Sequence, residues 1–337
     1  MYPGMATLCL KTTHVEAMQR FYETLGFKLH NLVERQVGGT RHKSVLLNNG
    51  DLDLALMNFL PNHCINYRGA DVQSVYSMAS EAGLNIDSRP DSYDKAQHAD
   101  ADGTCWMVQD PDGNNVFFDT NELEEGEAGD RLNLQRVLDS VLKQLVNVGA
   151  DADCCDAFRI DLIAEFAPPE SRTDPRKVNT SVETEPGAFA GFFNYCIKSA
   201  DNAAGKRFYQ AMGVDVIGND TESWVLMGTP DFSLSLMTFL EENWLNFRGA
   251  DPFEIEKRLK NAGFELEGEP STYTAEEYGM PGAHWTTRDP DGNVVYFDTA
   301  DQELITPGDP RLVSGVLNNG LERLKCVAAD ERVLLTY

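Results

Sequence analysis

Arg68 and Arg248 could each clamp a carboxylate or phosphate, because a guanidinium offers parallel N–H donors to either anion. Each stands where a predicted strand gives way to a predicted helix. Asp71 and Asp251 follow them, suited to cap those helices or to pair with the arginines. Asp119 and Asp298 end predicted strands and could serve as acidic ligands or general bases. Their plainer role is to cap the following turn with help from Thr120 and Thr299. Cys64 and Asn194 carry metal-ligating atoms, but one thiolate does not make a hard-cation site, which wants several oxygens or imidazoles. His63, His98 and His284 fit no His-x-x-x-His spacing and read as surface or pocket-lining residues. Phe59, Trp106, Phe117, Phe239, Trp244, Trp285 and Tyr296 form an aromatic set, mostly on strands, suited to core packing or to stacking on a flat ligand.

These residues recur because the chain repeats itself. Asp110-Pro111-Asp112-Gly113-Asn114 returns as Asp289-Pro290-Asp291-Gly292-Asn293. Phe21-Tyr22-Glu23-Thr24-Leu25-Gly26 matches Phe208-Tyr209-Gln210-Ala211-Met212-Gly213, and Asn66-Tyr67-Arg68-Gly69-Ala70-Asp71 matches Asn246-Phe247-Arg248-Gly249-Ala250-Asp251. The first copy carries seven extra residues near the turn-like Val37-Gly38-Gly39-Thr40. Within a copy, a strand over 7–11 and a helix over 15–25 precede strands over 28–34, 43–48 and 52–58. The order then restarts with a strand over 64–67, a helix over 72–82 and three strands, the last two over 106–109 and 115–119. Asp110-Pro111-Asp112-Gly113 is the turn between those two, with Pro preset for the first central position and Gly for positive φ. Each copy is therefore two β-α-β-β-β modules followed by an amphipathic helix, and the chain holds four modules. The expected division is 1–150 for the first domain, 151–187 for the linker and 188–337 for the second domain.

The 337 residues suffice for two ordinary cores, and 42% hydrophobic content is that of a soluble globular protein. Lys+Arg 28 against Asp+Glu 54 leaves a net charge of -26, which argues against nucleic acid, whose phosphates need a basic face, and against anionic membranes. Such acidity serves solubility or a salty habitat, or else recognition of a cationic partner. No apolar stretch is long enough to span a membrane, and the opening residues lack the basic-then-apolar pattern of a secretory signal. The seven cysteines form no Cys-x-x-Cys pair, so free thiols in a reducing cytoplasm are expected, including adjacent Cys154 and Cys155 in the linker.

Four such modules, Phe-Tyr-x-x-Leu-Gly-Phe on the first helix and Asp-Pro-Asp-Gly-Asn before the last strand resemble the vicinal oxygen chelate superfamily. That group includes glyoxalase I, extradiol dioxygenases and bleomycin-binding resistance proteins. The resemblance covers about residues 6–120 and 192–299. It implies an α+β fold of two tandem glyoxalase-like domains, in which paired modules curl into a cup that holds a divalent metal and a small-molecule ligand. The metal-ligand positions it implies fall at Thr7, Ala55, Cys64 and Phe117 in the first copy, and at Asn194, Ser235, Trp244 and Tyr296 in the second. Neither copy has the glutamate expected on the last strand, so these positions do not support a divalent metal and no cofactor is expected. Instead Phe117 and Tyr296 line or fill the cups. The leading expectation is a metal-free member that binds a small organic molecule. The alternatives are a glyoxalase I-related lyase with a non-standard metal site and a scaffold with closed cups. The two domains are expected to pair within the chain, as a monomer or homodimer.

Overall fold

Residues 4–49, 51–94, 101–124, 137–138, 140–146, 148–151, 153–155, 189–229, 231–304 and 310–327 are described by the structure, a computed structural model. His98 and most of the expected linker lie outside them. In the first repeat, β1 (Met5–Lys11), α1 (Val15–Thr24), β2 (Lys28–Val37), β3 (Thr40–Asn48) and β4 (Asp53–Met57) make one module. A second follows with β5 (Cys64–Arg68), α2 (Val72–Glu81), β6 (Asp91–Tyr93), β7 (Gly103–Gln109) and β8 (Asn115–Asn121). The first trailing helix is seen at residues 137–138 and 140–146. The second repeat runs β9 (Phe192–Lys198), α3 (Asn202–Ala211), β10 (Asp215–Asp220), β11 (Trp224–Thr229) and β12 (Phe232–Met237). It continues with β13 (Trp244–Arg248), α4 (Pro252–Asn261), β14 (Ser271–Tyr273), α5 (Ala275–Tyr278), β15 (Gly282–Arg288) and β16 (Val294–Ala300), and ends in trailing helix α6 (Pro310–Val327).

Each repeat folds into one eight-stranded sheet, in the orders β2-β3-β4-β1-β5-β8-β7-β6 and β10-β11-β12-β9-β13-β16-β15-β14. The modules join through their first strands: β1 runs antiparallel to β5, with Thr7 opposite Asn66, and β9 antiparallel to β13, with Asn194 opposite Asn246. The extra residues of the first copy lengthen one hairpin, since β2 and β3 pair out to Val37 and Thr40. Asp71 accepts from the backbone N–H groups of Gln73 and Ser74, and Asp251 from that of Phe253, so both cap their helices.

Strand alternation sorts side chains onto two faces. Leu8, Leu10, Leu54, Leu56, Ile65, Tyr67, Val116 and Phe118 point to the helices and are buried. The same cluster includes Phe193, Tyr195, Leu234, Leu236, Phe247 and Phe297 of the second repeat, so one apolar core spans both sheets. Ring contacts cross it: Phe21 meets Phe264 at 5.3 Å and Phe27 meets Phe247 at 6.2 Å, both edge to face. Helices α1 to α4 therefore lie between the sheets, and each sheet turns its other face outward. Among the described residues none of these four packs there, so this is the helix-free face, although the trailing helices reach its end at Met5 and Phe192. That face is where the resemblance places a cup.

Polar contacts across the core follow the same two-fold logic. Tyr22 donates to Asp289 at 2.9 Å, and Tyr209 donates to Asp110 at 3.0 Å. The two repeated phrases of the sequence are thus interlocked, each Phe-Tyr pair with the other copy's Asp-Pro-Asp-Gly turn. Asp112 accepts from the N–H of Ala200, and Asp291 from Thr12, Thr13 and His14. His63 Nδ1 accepts from the Lys11 N–H at 3.0 Å; burial holds its pKa low, although a bond to Asn293 of the other repeat opposes this. Its counterpart Asn243 accepts from Lys198 N–H and donates to Asn114 of the other turn.

The trailing helices meet through Val137, Val141, Leu145 and Val316. A Cβ added to buried Gly320 would stand 2.7 Å from Val141 Cγ1, whose β-branched side chain is stiff, whereas one on Gly315 meets nothing within 4 Å. Overpacking outweighs helix propensity at the first position, so Gly320→Ala is expected to destabilise by about 1–3 kcal/mol. Gly315→Ala is expected to stabilise by about 0.5–1 kcal/mol. Urea unfolding of the two variants in parallel reads the difference, and equal effects would contradict the close helix contact.

Candidate functional site

The helix-free face of each sheet carries a polar cluster built from duplicated residues. On the first, Arg68 at the end of β5 donates from Nη1 to Asp119 at 3.0 Å and from Nε to Glu124 at 2.7 Å. Tyr93 from β6 donates to the other oxygen of Asp119 at 2.6 Å. On the second, Arg248 pairs with Asp298 and, at 2.7 Å, with Glu303, while Tyr273 donates to Asp298 at 3.0 Å. Burial, then the neighbouring Asp119 carboxylate, pushes the Tyr93 phenol above its ordinary value, so it stays a donor. Asp119 and Asp298 do not cap the next turn; they bind arginine across the strand pair β5–β8 or β13–β16. The turn-side role goes to the threonines: Thr120 accepts from the Gly69 N–H and donates to Ala70 O, and Thr299 does the same with Gly249 and Ala250. Arg68 and Arg248 accordingly pair with these carboxylates and not with Asp71 or Asp251.

Beneath each cluster stands an asparagine that sequence reasoning missed. Asn66 lies in register with Thr7 and Phe117, and Asn246 with Asn194 and Tyr296. Both Oδ1 atoms are buried without a protein partner. The signal was present in the repeated Asn-Tyr-Arg-Gly and Asn-Phe-Arg-Gly phrases, which announced the duplication before they announced a site. The register also corrects the position given to Cys64 and Trp244. They lie one pleat further along the same face, opposite Cys9 and Cys196.

The remaining candidates divide by face. Trp106 is 1% exposed and faces the helices, stacked on Phe118 and donating to Ser88 Oγ at 3.0 Å. Trp285 repeats this with Phe297 and Glu267 O. Both belong to the core and leave the candidate set, because strand parity puts them opposite their neighbours Cys105 and His284. Phe59 and Phe239 follow β4 and β12, are 41% and 61% exposed, and Phe59 stacks on His42 at 4.8 Å. Phe117 stays on the helix-free face, packed against buried Cys9, Ala55 and Cys64.

The second face is the more aromatic. Trp244 and Tyr296 stand 4.9 Å apart with a 40° interplanar angle. His284, a strand away on β15, shares a hydrogen bond of 3.2 Å between its Nδ1 and the Tyr296 hydroxyl. Tyr273 and Tyr278 flank His284, and Trp224 donates to Ser235 at 3.0 Å on the other side. Burial and then the Asp298 charge raise the Tyr296 phenol, which is neutral at ordinary pH.

Donor chemistry tests a divalent metal directly. By register Thr7 lies in one row with Asp53, Asn66 and Phe117, and Asn194 in one row with Ser233, Asn246 and Tyr296, while Ala55 and Ser235 stand one pleat further, in the rows of Cys9 and Cys196. These rows provide no imidazole and a single carboxylate, Asp53, which already accepts from Asn48, and Asn194 is bonded to Ser233 and Cys196. Among the described residues, no group of three or more His, Cys, Asp or Glu side chains could hold an ion. The residues present do not fit a hard divalent cation.

A cleft of about 310 Å³ lies elsewhere, in the helix layer between Arg20, Phe21, Phe264 and Arg288. Its cations are occupied: Arg20 lies over the Phe264 ring at 4.7 Å and donates to Ala262 O, and Arg288 pairs with Glu242.

No protein-family model and no curated protein matches the chain. Solved structures show a distant likeness. The Mn(II)-bound glyoxalase from Novosphingobium aromaticivorans is 10% identical over 88% of this chain and 80% of its own, with a TM-score of 0.44. A mutant of 4-hydroxymandelate synthase from Streptomyces coelicolor is 12% identical over 96% and 99%, with a TM-score of 0.46. A glyoxalase/bleomycin resistance protein/dioxygenase superfamily member from Vibrio splendidus 12B01 is 11% identical and spans 32% of this chain and 97% of its own, at 0.27. Among the described residues, no helix is long and apolar enough to cross a membrane. The strand order carries the fold itself: the described residues form two tandem α+β domains, each a single eight-stranded sheet made from two β-α-β-β-β modules.

Proposed function

We propose that the chain binds a small organic molecule on the helix-free face of its second sheet, without a resident metal. The observation that carries this is the Trp244–Tyr296 pair beside Asn246, whose buried Oδ1 has no protein partner. Two ring faces suit a flat or greasy body, and an unpaired acceptor suits one donor on it. The His284–Tyr296 bond adds a second polar contact, and the Arg248–Asp298 pair closes the far end. The first sheet has Cys64 and Phe117 at the matching places, so the two faces differ in the ligand they accept. The strong negative charge and the absent basic face support a small molecule over nucleic acid.

The test is a tryptophan-fluorescence titration of the full chain with a panel of planar phenols and naphthols, beside mass spectrometry of small molecules released from the purified protein. Trp244→Ala is expected to weaken the best binder about tenfold, as loss of a stacked aromatic does. Phe117→Ala, on the other sheet, is expected to leave it unchanged. Equal affinity in the chain and in its Trp244→Ala and Tyr296→Ala variants would refute the assignment.

A further inference from the structure

One cluster on the first sheet lies outside the binding face proposed on the second. Cys9 on β1 lies opposite Cys64 on β5, and both are buried. Ala55 completes a small core with them, and Met57, Leu46, Leu60 and Phe117 pack against it. The second sheet cannot copy this arrangement, since Cys196 faces Trp244.

Backbone direction fixes what two such thiols can do. Thr12 N–H donates to Met57 O on the β4 side, and Lys11 N–H donates to His63 on the β5 side. Donors alternate along a strand, so Cys9, like Lys11, turns its backbone to β5 and forms a hydrogen-bonded pair with Cys64. In antiparallel sheets that class holds its Cβ atoms at about 5.5 Å. A disulfide wants about 3.5–4.5 Å, so direct S–S closure would strain the strands. An ion bridging two sulfurs at about 2.3 Å each spans roughly 3.7–4.6 Å between them, depending on angle. That span suits the wider pair.

We infer that Cys9 and Cys64, with the Met57 thioether as third donor, form a binding site for a soft monovalent cation of the Cu(I) type. Two thiolates and a thioether in an apolar setting select such an ion over the hard divalent cations that the face does not fit. The Cys9 thiol donates to Thr7 O at 3.8 Å. Binding forms two Cu–S(thiolate) bonds, releases one proton from each thiol to solvent and changes no oxidation state. Retention is therefore tighter at higher pH.

The experiment is an anaerobic titration of the reduced full chain with Cu(I) against bicinchoninate as competitor. Cys154→Ser and Cys155→Ser are present so that the adjacent pair does not compete. One equivalent is expected to be retained, and Cys64→Ala or Cys9→Ala is expected to abolish retention. Met57→Leu is expected to weaken it about tenfold. Retention that survives Cys64→Ala, or no retention by the parent chain, overturns the site. A second arm needs no cysteine-site variant and guards against misfolding. X-ray absorption of the Cu(I)-loaded parent is expected to show sulfur ligands alone, and nitrogen or oxygen ligands overturn the proposal.

Discussion

Asp289→Ala is expected to lower the unfolding free energy by about 3–5 kcal/mol, a large share of the roughly 5–15 kcal/mol that holds a domain together. The side chain is buried and fully used. Oδ1 accepts from the N–H groups of Asp291 and Asn293, and Oδ2 from Asn293 Nδ2 and the Tyr22 hydroxyl. Alanine removes all four bonds and strands a buried tyrosine hydroxyl, which alone costs about 1–3 kcal/mol. Asp110→Ala is expected to cost a similar amount, since Tyr209, Asp112 and Asn114 stand in the same relation to it. Tyr22→Phe separates the cross-domain bond from the turn. The coupling between Tyr22→Phe and Asp289→Ala in a double-mutant cycle is expected at about 1.5–3 kcal/mol, the value of a bond to a charged acceptor. Zero coupling would show that the tyrosine is an onlooker.

The same pair gives a pH dependence with a definite sign. Burial pushes both Asp110 and Asp289 above the usual carboxylate value, although their hydrogen bonds pull the other way. The folded chain then keeps protons that the unfolded chain has released. The stability so contributed is complete below the unfolded carboxylate value and is lost as pH rises through the raised folded value. Asp110→Asn with Asp289→Asn is expected to flatten that decline in urea midpoints measured across the acid range.

Arg68→Ala is expected to cost about 2–4 kcal/mol, because it leaves buried Glu124 and half-buried Asp119 without their shared cation. Glu124 has only 2% of its side chain exposed and Asp119 14%. Arg248→Ala removes the equivalent ion pairs, but Glu303 is 37% exposed and water replaces much of the loss. It is expected to cost about 1 kcal/mol, near the range of surface pairs. Arg68→Lys is expected to fall between the wild type and alanine, since one ammonium cannot reproduce the guanidinium fork that spans both acids. Urea unfolding of the three variants decides. Equal losses at the two arginines would mean that burial of the glutamate does not set the cost.

Local chemistry was legible where neighbours in sequence are neighbours in space. The turn Asp110-Pro111-Asp112-Gly113 has Gly113 at φ 85°, as its residues require, and Asp71 and Asp251 cap the helices they precede. Strand parity placed Phe117 and Tyr296 on the helix-free face. The same parity turns Trp106 and Trp285 into the core, which grouping them with the other aromatics by residue type does not reveal. The partners of Arg68 were misread for another reason. Asp71 is near in sequence, but Asp119 and Glu124 arrive through the parallel pairing of β5 with β8, which no local pattern specifies.

By itself the sequence determined the duplication, the four modules and their order, because turn residues and alternating hydrophobicity act over a few residues. Only the tertiary structure decided what the repeated phrases do to each other. Tyr22 reaches Asp289 and Tyr209 reaches Asp110 across a shared core, at sequence separations that no periodicity encodes. The same holds for the unpartnered Oδ1 atoms of Asn66 and Asn246 and for Cys9 opposite Cys64. Register between strands far apart in sequence is set by which faces bury together, and one sequence shows the faces without showing the pairing.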